Sequence, residues 1–226
     1  MGNGPEPRLP VGGVILAAGL GRRMGVPKLL LPWQGRPLVR HVAEAALASQ
    51  LDGLLVVTGY RADDVARALE GLPLQIVANS DYEAGLSTSL HAGIRALADH
   101  YSAAMIMLGD QPLLTTEIVD HLLQAYWATQ APLVAPVSGQ RRGNPVLFAR
   151  GLFPELLTIR GDVGARAIIN AHRTELHTVP VDESVFFDVD TPEAYAGLIA
   201  ASIGFDSGRE AGRLPQSVPL AGSAIK

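Results

Sequence analysis

Leu16-Ala17-Ala18-Gly19-Leu20-Gly21-Arg22-Arg23-Met24-Gly25-Val26-Pro27-Lys28 directly follows the apolar run Val11–Leu16. A six-residue apolar run of this kind reads as a strand buried on both faces. Similar runs recur at Leu54–Thr58, Leu74–Ala78, Ala103–Leu108, Leu133–Pro136 and Val146–Ala149. Between them, 37–50, 61–70, 88–99 and 115–129 carry apolar residues at three- and four-residue spacing, the period of a helix with one buried face. Strands buried on both faces and alternating with helices predict an α/β protein, a three-layer α/β/α Rossmann-like arrangement with a mostly parallel sheet. The glycine-rich loop then lies at the carboxyl end of the first strand, where open α/β sheets bind ligands.

Pro37 suits a first helical turn, and Thr115-Thr116-Glu117 a capped helix start. After residue 136 the alternation loosens. Segment 138–145 reads as a turn or hairpin, 151–172 as two short helices broken at Gly161-Asp162, and 192–203 as a closing helix. Residues 1–9 and 205–226 are rich in Gly, Pro and Ser. One domain over 11–203 is expected, with a flexible start (1–10) and a disordered tail (204–226).

The whole chain has 226 residues, 48% of them apolar and 18% charged, and a net charge of −4. That composition fills a core and excludes wholesale disorder. The acidic balance argues against nucleic acid as a partner, which needs a clustered basic face. No apolar run reaches the roughly 18 residues of a membrane span, and the start lacks a signal-peptide layout. With no cysteine, disulfides, thiolate zinc sites and thiol catalysis are excluded. A cytoplasmic protein is the expectation.

Gly19, Gly21 and Gly25 let backbone N–H groups approach an anion closely, and Arg22, Arg23 and Lys28 add positive charge; a triphosphate suits such a loop. A dinucleotide fingerprint is excluded because Met24 stands where its third glycine belongs. A Walker loop is excluded because Pro27-Lys28-Leu29 replaces Gly-Lys-Ser/Thr. Of 18 basic residues 16 are Arg, and the only lysines are Lys28 and the terminal Lys226. A lysine retained here offers a compact point charge where a planar guanidinium does not fit.

Asp110 follows the run Ala103–Leu108 and so also sits at a strand's carboxyl end. It could supply one oxygen to a Mg²⁺ ion, which takes one or two carboxylates beside phosphates and water. Either Asp188 or Asp190 could supply a second, being two residues apart on an extended segment. Asn79–Leu90 places small polar residues, Ser87 and Ser89 among them, at a helix entry. There they serve either to hydrogen-bond a nucleobase or simply to cap the helix. Gly161-Asp162-Val163-Gly164-Ala165-Arg166 opens a helix whose N-terminus could hold an anion. The six histidines show no metal spacing, and those at 41, 91 and 121 read as surface or boundary residues of helices.

The loop Leu-Ala-Ala-Gly-x-Gly-x-Arg-Met-Gly-x-Pro-Lys resembles the signature of the nucleotidyltransferase family with a glycosyltransferase-A-like Rossmann fold. The similarity continues through Asn79–Gly93, Gly109-Asp110-Gln111-Pro112, Gly143–Phe148, Gly161–Arg166 and Asp188–Pro192, over about 11–200. Within that family the chain looks most like the molybdenum cofactor cytidylyltransferases. The resemblance implies CTP and a molybdopterin-type cofactor as substrates, Mg²⁺ as the metal, a client molybdoenzyme as a possible partner, and no membrane. It implies nucleotide contacts at Leu16, Ala17, Ala18, Gly19, Gly21, Arg22 and Gly25, with Asn79, Ser87 and Ser89 facing base and ribose. Arg23, Lys28 and Asp110 would be catalytic, Asp110 and Asp190 would hold the metal, and Gly143, Asn144, Gly161, Asp162 and Arg166 would line the acceptor pocket, with Arg141 and Arg142 of the same hairpin beside them. Relatives often carry histidine where Asn144 stands. Guanylyl relatives typically have Gly-Gly in place of Ala17-Ala18 and another residue at Gly109, so the resemblance favours cytosine; guanylyl transfer on the same cofactor, another small-molecule nucleotidyl transfer, and a non-catalytic nucleotide- or pterin-binding chaperone for a molybdoenzyme are the alternatives.

Overall fold

Alternate residues of the central strands face opposite layers, and burial follows that two-residue period. In β1 (Val11–Ala17), Val11, Ile15 and Ala17 join one apolar cluster, while Val14 and Leu16 join the other. The computed structural model describes residues 8–21, 23–97 and 99–206. After β1 come a hairpin of β2 (Pro32–Trp33) and β3 (Arg36–Pro37), then α1 (Leu38–Leu47), β4 (Gly53–Thr58), α2 (Ala62–Ala68), β5 (Gln75–Ala78) and α3 (Leu86–Ala96). The chain continues through β6 (Ala103–Leu108), α4 (Thr116–Thr129), β7 (Leu133–Ser138), β8 (Arg141–Arg142), β9 (Val146–Ala149), α5 (Phe153–Leu156), α6 (Arg166–Ala171), β10 (Leu176–Pro180) and α7 (Pro192–Asp206).

The main sheet runs β10-β7-β9-β6-β1-β4-β5, with β8 paired to β7. β1 pairs in parallel with both β4 and β6, β4 with β5, and β7 with β10; β9 is antiparallel to β6 and β7. Helices α1, α2 and α4 pack on one face, and α3, α5 and α6 on the other. This is the expected three-layer α/β/α sheet. β4 and β5 extend it from one side of β1, whereas β6 and the later strands build it from the other. The chain therefore changes direction between β1 and β6, and a crevice opens at their carboxyl ends.

Four details depart from the sequence pattern. β5 is an edge strand with Gln75, Ile76 and Ala78 exposed, because no strand follows it outward. The hairpin β2–β3 and strand β10 were not foreseen; both are short, and β10 is only partly buried, so neither carries a continuous apolar run. Within 151–172, Gly161–Val163 is a 3-10 turn, and α6 begins only at Arg166. His91 is buried on α3 at 8% exposure with its Nε2 unpartnered, where a surface or boundary position was expected. Of the expected mobile ends, 1–7 and 207–226 lie outside the described residues, as does Arg22. No helix among the described residues is long and apolar enough to cross a membrane.

Candidate active site

Three segments meet at the crevice. The loop after β1 turns through Gly21, whose φ of +60° suits glycine, and the Met24 N–H donates to the Gly21 carbonyl at 2.9 Å. Met24 is the loop's anchor: it is buried against Leu38, Val189 and Leu198. A large apolar side chain isolated among glycines and arginines was the available signal for this role, which the motif reading passed over. Lys28 then opens a 3-10 turn pinned by buried Leu29. The second segment is the turn after β6, tied to β1 by the Gly109 N–H donating to the Leu16 carbonyl at 3.1 Å. The third, 188–190, precedes α7, and its Val189 N–H donates to the Asp110 carbonyl at 3.0 Å.

These contacts bring together side chains as far as 167 positions apart. The Lys28 ammonium donates to Asp110 Oδ2 and, at 2.6 Å, to Asp190 Oδ1. Arg23 donates to the other oxygen of Asp190 at 2.7 Å. The Lys28, Asp110 and Asp190 side chains are 13%, 16% and 32% exposed. Burial pulls the Lys28 pKa down, but Asp110 and Asp190 outweigh it and hold the ammonium above its ordinary value. Burial likewise pushes Asp190 up, and Lys28 and Arg23 overcome it to leave its carboxyl below the usual range. Asp188 differs. Burial, then the neighbouring charge of Asp110, raises its pKa to about 6 despite a 2.7 Å hydrogen bond from Gln111 Nε2.

Among the described residues no three His, Cys, Asp or Glu side chains group as metal ligands. Two carboxylates, Asp110 and Asp190, do converge on one cationic point, the Lys28 ammonium. Hard oxygen donors of that number fit a magnesium-type ion that keeps several waters and binds phosphate oxygens.

Two cavities open side by side. The first, about 410 Å³, is lined by Ala18, Gly19, Gly21, Arg23, Lys28 and Ser89, together with Asp110 and Asp190. Nothing lies within 4 Å in front of Gly19, so a ligand can approach its backbone. The second, about 690 Å³, has an apolar lining that includes Ile106, Val146 and Phe148, and polar groups from Arg142, Asn144 and Arg166. Leu16, Leu86, Leu108 and Asp162 border both. A glycine-lined chamber that carries Arg23 and Lys28 among the acidic Glu83, Asp110, Asp162 and Asp190 thus adjoins a larger, partly apolar one that carries Arg142 and Arg166.

Several predicted residues lie outside the linings. Ala17 is 1% exposed and packs into the core, and Gly25 does not border either cavity. Asn79 turns inward, donating to Thr88 Oγ1 at 2.9 Å and Ser89 Oγ at 3.0 Å and accepting from the Asp81 N–H, while Ser87 is buried. Those bonds fasten the loop after β5 to α3. Asp162 borders both cavities but also accepts the Leu86 N–H at 3.1 Å, capping α3 from a distant segment. Gly161 supports that junction: a Cβ on Gly85, itself at φ +110°, would lie 2.7 Å from the Gly161 carbonyl carbon. Gly143 does line the larger cavity, packed so closely on Phe186 that any Cβ would collide with the ring. Arg142 lines the larger cavity, as expected of it, whereas Leu86, inside the Asn79–Leu90 segment, and Leu108, the last residue of a predicted strand run, are lining residues that no motif marks individually.

Residues 13–177 match the family described as the MobA-like NTP transferase domain. The chain is 36% identical over 202 residues to the nicotine blue oxidoreductase of Paenarthrobacter nicotinovorans, covering 84% of this chain and 96% of that one. Among solved structures it resembles a Mycobacterium sp. strain JC1 homologue of Rv0371c, at TM-score 0.77 and 34% identity over 86% of this chain and 97% of the other. It also resembles Mycobacterium tuberculosis Rv0371c in complex with manganese, at TM-score 0.74 and 26% identity over 85% and 99%.

Proposed function

The chain belongs to the MobA-like NTP transferase family, and from that premise we propose that it is a Mg²⁺-dependent cytidylyltransferase working in the cytoplasm. It would transfer CMP from CTP to the terminal phosphate of a molybdopterin-type cofactor, release pyrophosphate, and pass the dinucleotide product to a client molybdoenzyme. The observation that carries this reading is the cluster of Lys28, Arg23, Asp110 and Asp190 in the lining of a chamber with glycines, which adjoins a second, larger one.

An oxygen of the acceptor phosphate attacks the α-phosphorus, and the bond to the bridging oxygen of the β-phosphate breaks in line. Such a transfer needs no protein nucleophile; positioning and charge compensation supply the rate. Gly19 and Gly21 border the space for the β- and γ-phosphates. Lys28 and Arg23 compensate charge on the α-phosphoryl oxygens and the departing pyrophosphate. Asp110 and Asp190 would hold the cation, which when bound polarises the phosphoryl group and screens the leaving charge. Arg142 and Arg166 border the larger cavity, where they would meet an anionic acceptor, with its apolar lining against the pterin ring. The choice of cytosine rests on Ala17, Ala18 and Gly109, of which Ala18 borders the phosphate chamber.

Pyrophosphate release from CTP, dependent on molybdopterin and abolished by chelation, is the expected result. The relative named as an oxidoreductase, alike over 96% of its length, favours a second reading in which this scaffold supports an oxidoreductase reaction. No pyrophosphate from any nucleoside triphosphate, together with consumption of a reduced nicotinamide, would establish that rival instead.

A further inference from the structure

Asp110 and Asp190 are useful as a pair only if their separation is held, yet neither sits within a strand. Asp110 lies in the turn after β6, and Asp190 in the irregular stretch before α7. The backbone bond from the Val189 N–H to the Asp110 carbonyl is one link between the two segments. One hydrogen bond acts as a hinge. A second lies beside it: Gln111 Nε2 to Asp188 Oδ1 at 2.7 Å, with Gln111 only 3% exposed. We infer that Gln111 is a positioning residue, which through Asp188 fixes the spacing of Asp110 and Asp190.

This inference rests on the proposal that those two carboxylates hold the divalent cation. Two bonds displaced by one residue on each strand of the crossing turn a hinge into a clamp, because rotation about the first would break the second. A neutral amide is suited to this task. It donates to Asp188 without adding a cation that would compete for Asp110. Asp188 in turn bonds its neighbour's backbone, its carbonyl accepting the Asp190 N–H at 3.1 Å. The position of the Asp188 side chain is therefore transmitted to the next carboxylate along the chain. The same geometry separates the two candidates for the second ligand: Asp190 meets Asp110 at Lys28, while Asp188 has one oxygen committed to Gln111. Buried partners that orient ligands in this way are typically worth about 10- to 100-fold in metal affinity.

The test is titration of the full chain with Mn²⁺ alone, free ion being read by electron paramagnetic resonance, with melting followed by circular dichroism. Gln111→Leu and Asp188→Ala are expected to weaken Mn²⁺ binding by about tenfold or more. Asp188→Asn keeps an oxygen acceptor for Gln111 while losing the charge, and should bind within about twofold of the unaltered protein. Unaltered affinity in Gln111→Leu would overturn the inference. So would equal losses in Asp188→Asn and Asp188→Ala, since charge and not the hydrogen bond would then matter. If Gln111→Leu does not fold, the two Asp188 variants decide. Asp110→Asn is the control: if it leaves Mn²⁺ binding intact, the metal reading itself has failed, and the positioning role falls with it.

Discussion

Lys28 carries a single ammonium between Asp110 and Asp190 in the lining of the smaller cavity. A compact ammonium can lie on the line between two carboxylates, whereas a guanidinium is wider, planar and directional. Lys28→Arg keeps the charge, so the variant should melt close to the unaltered protein. Its wider fork should displace a phosphoryl oxygen by around 1 Å and lower turnover on the order of 10²-fold. Melting and turnover on one preparation check both halves; full activity would show that the lysine's shape is immaterial. Asp110→Asn tests the partner. With one carboxylate fewer to hold the cation that screens the leaving charge, pyrophosphate release at saturating Mg²⁺ should fall at least about 10²-fold.

Among the elements, α3 depends most on distant chain. Its first residues rely on Gly85 at φ +110° and on the Asp162 carboxylate, which accepts the Leu86 N–H from the loop before α6. Loss of a capping acceptor costs about 1 kcal/mol, so Asp162→Ala should lower Tm by about 2–4 °C in a chain of this size. The same change loosens the rim shared by the two cavities. An unchanged Tm, read by calorimetry, would show that the cap is dispensable. A second tie joins α6 to α5: His172, just beyond α6, meets Glu155 Oε2 and Glu175 Oε1, each at 2.9 Å. The hydrogen bond with Glu155, then that with Glu175, raises the His172 pKa above 6.5. A raised folded pKa means that this stabilisation is complete below pH 6.5 and is lost as the pH rises through the folded value. Denaturant melts of His172→Ala and the unaltered protein should therefore differ most below pH 6.5 and converge at alkaline pH.

For the molecule as a whole, the change of direction between β1 and β6 sets the smaller, glycine-lined cavity, and β7, β9 and the α5–α6 segment wall the neighbouring one. In the proposed reaction the two chambers would hold the two substrates, so the identity of each would be a property of the assembled crevice. CTP should give a higher kcat/KM than GTP in side-by-side assays of pyrophosphate release. Equal or better turnover with GTP would overturn the cytidylyl assignment while leaving the fold and family untouched.

The strand-and-helix order was legible in the sequence because each central strand is buried on both faces and so must be written as an apolar run; Val11–Ala17 and Ala103–Leu108 are the clearest cases. The Gly19–Lys28 loop was legible because close approach to an anion demands glycines and cations locally, within one short segment. Short or half-exposed pieces, such as β10 and the β2–β3 hairpin, leave no such pattern. Pairings across the chain are likewise absent from local sequence. Local spacing does not separate Asp188 from Asp190, which share an extended stretch, although the family resemblance favours Asp190; the tertiary structure sets Asp190 against Lys28 and Asp188 against Gln111. Asn79 and Asp162 looked like ligand contacts by their motifs, and the fold also engages them in fastening α3. Local chemistry determines which residues can bind a triphosphate; only the packing of distant segments decides which polar groups face the crevice and which are spent holding it together.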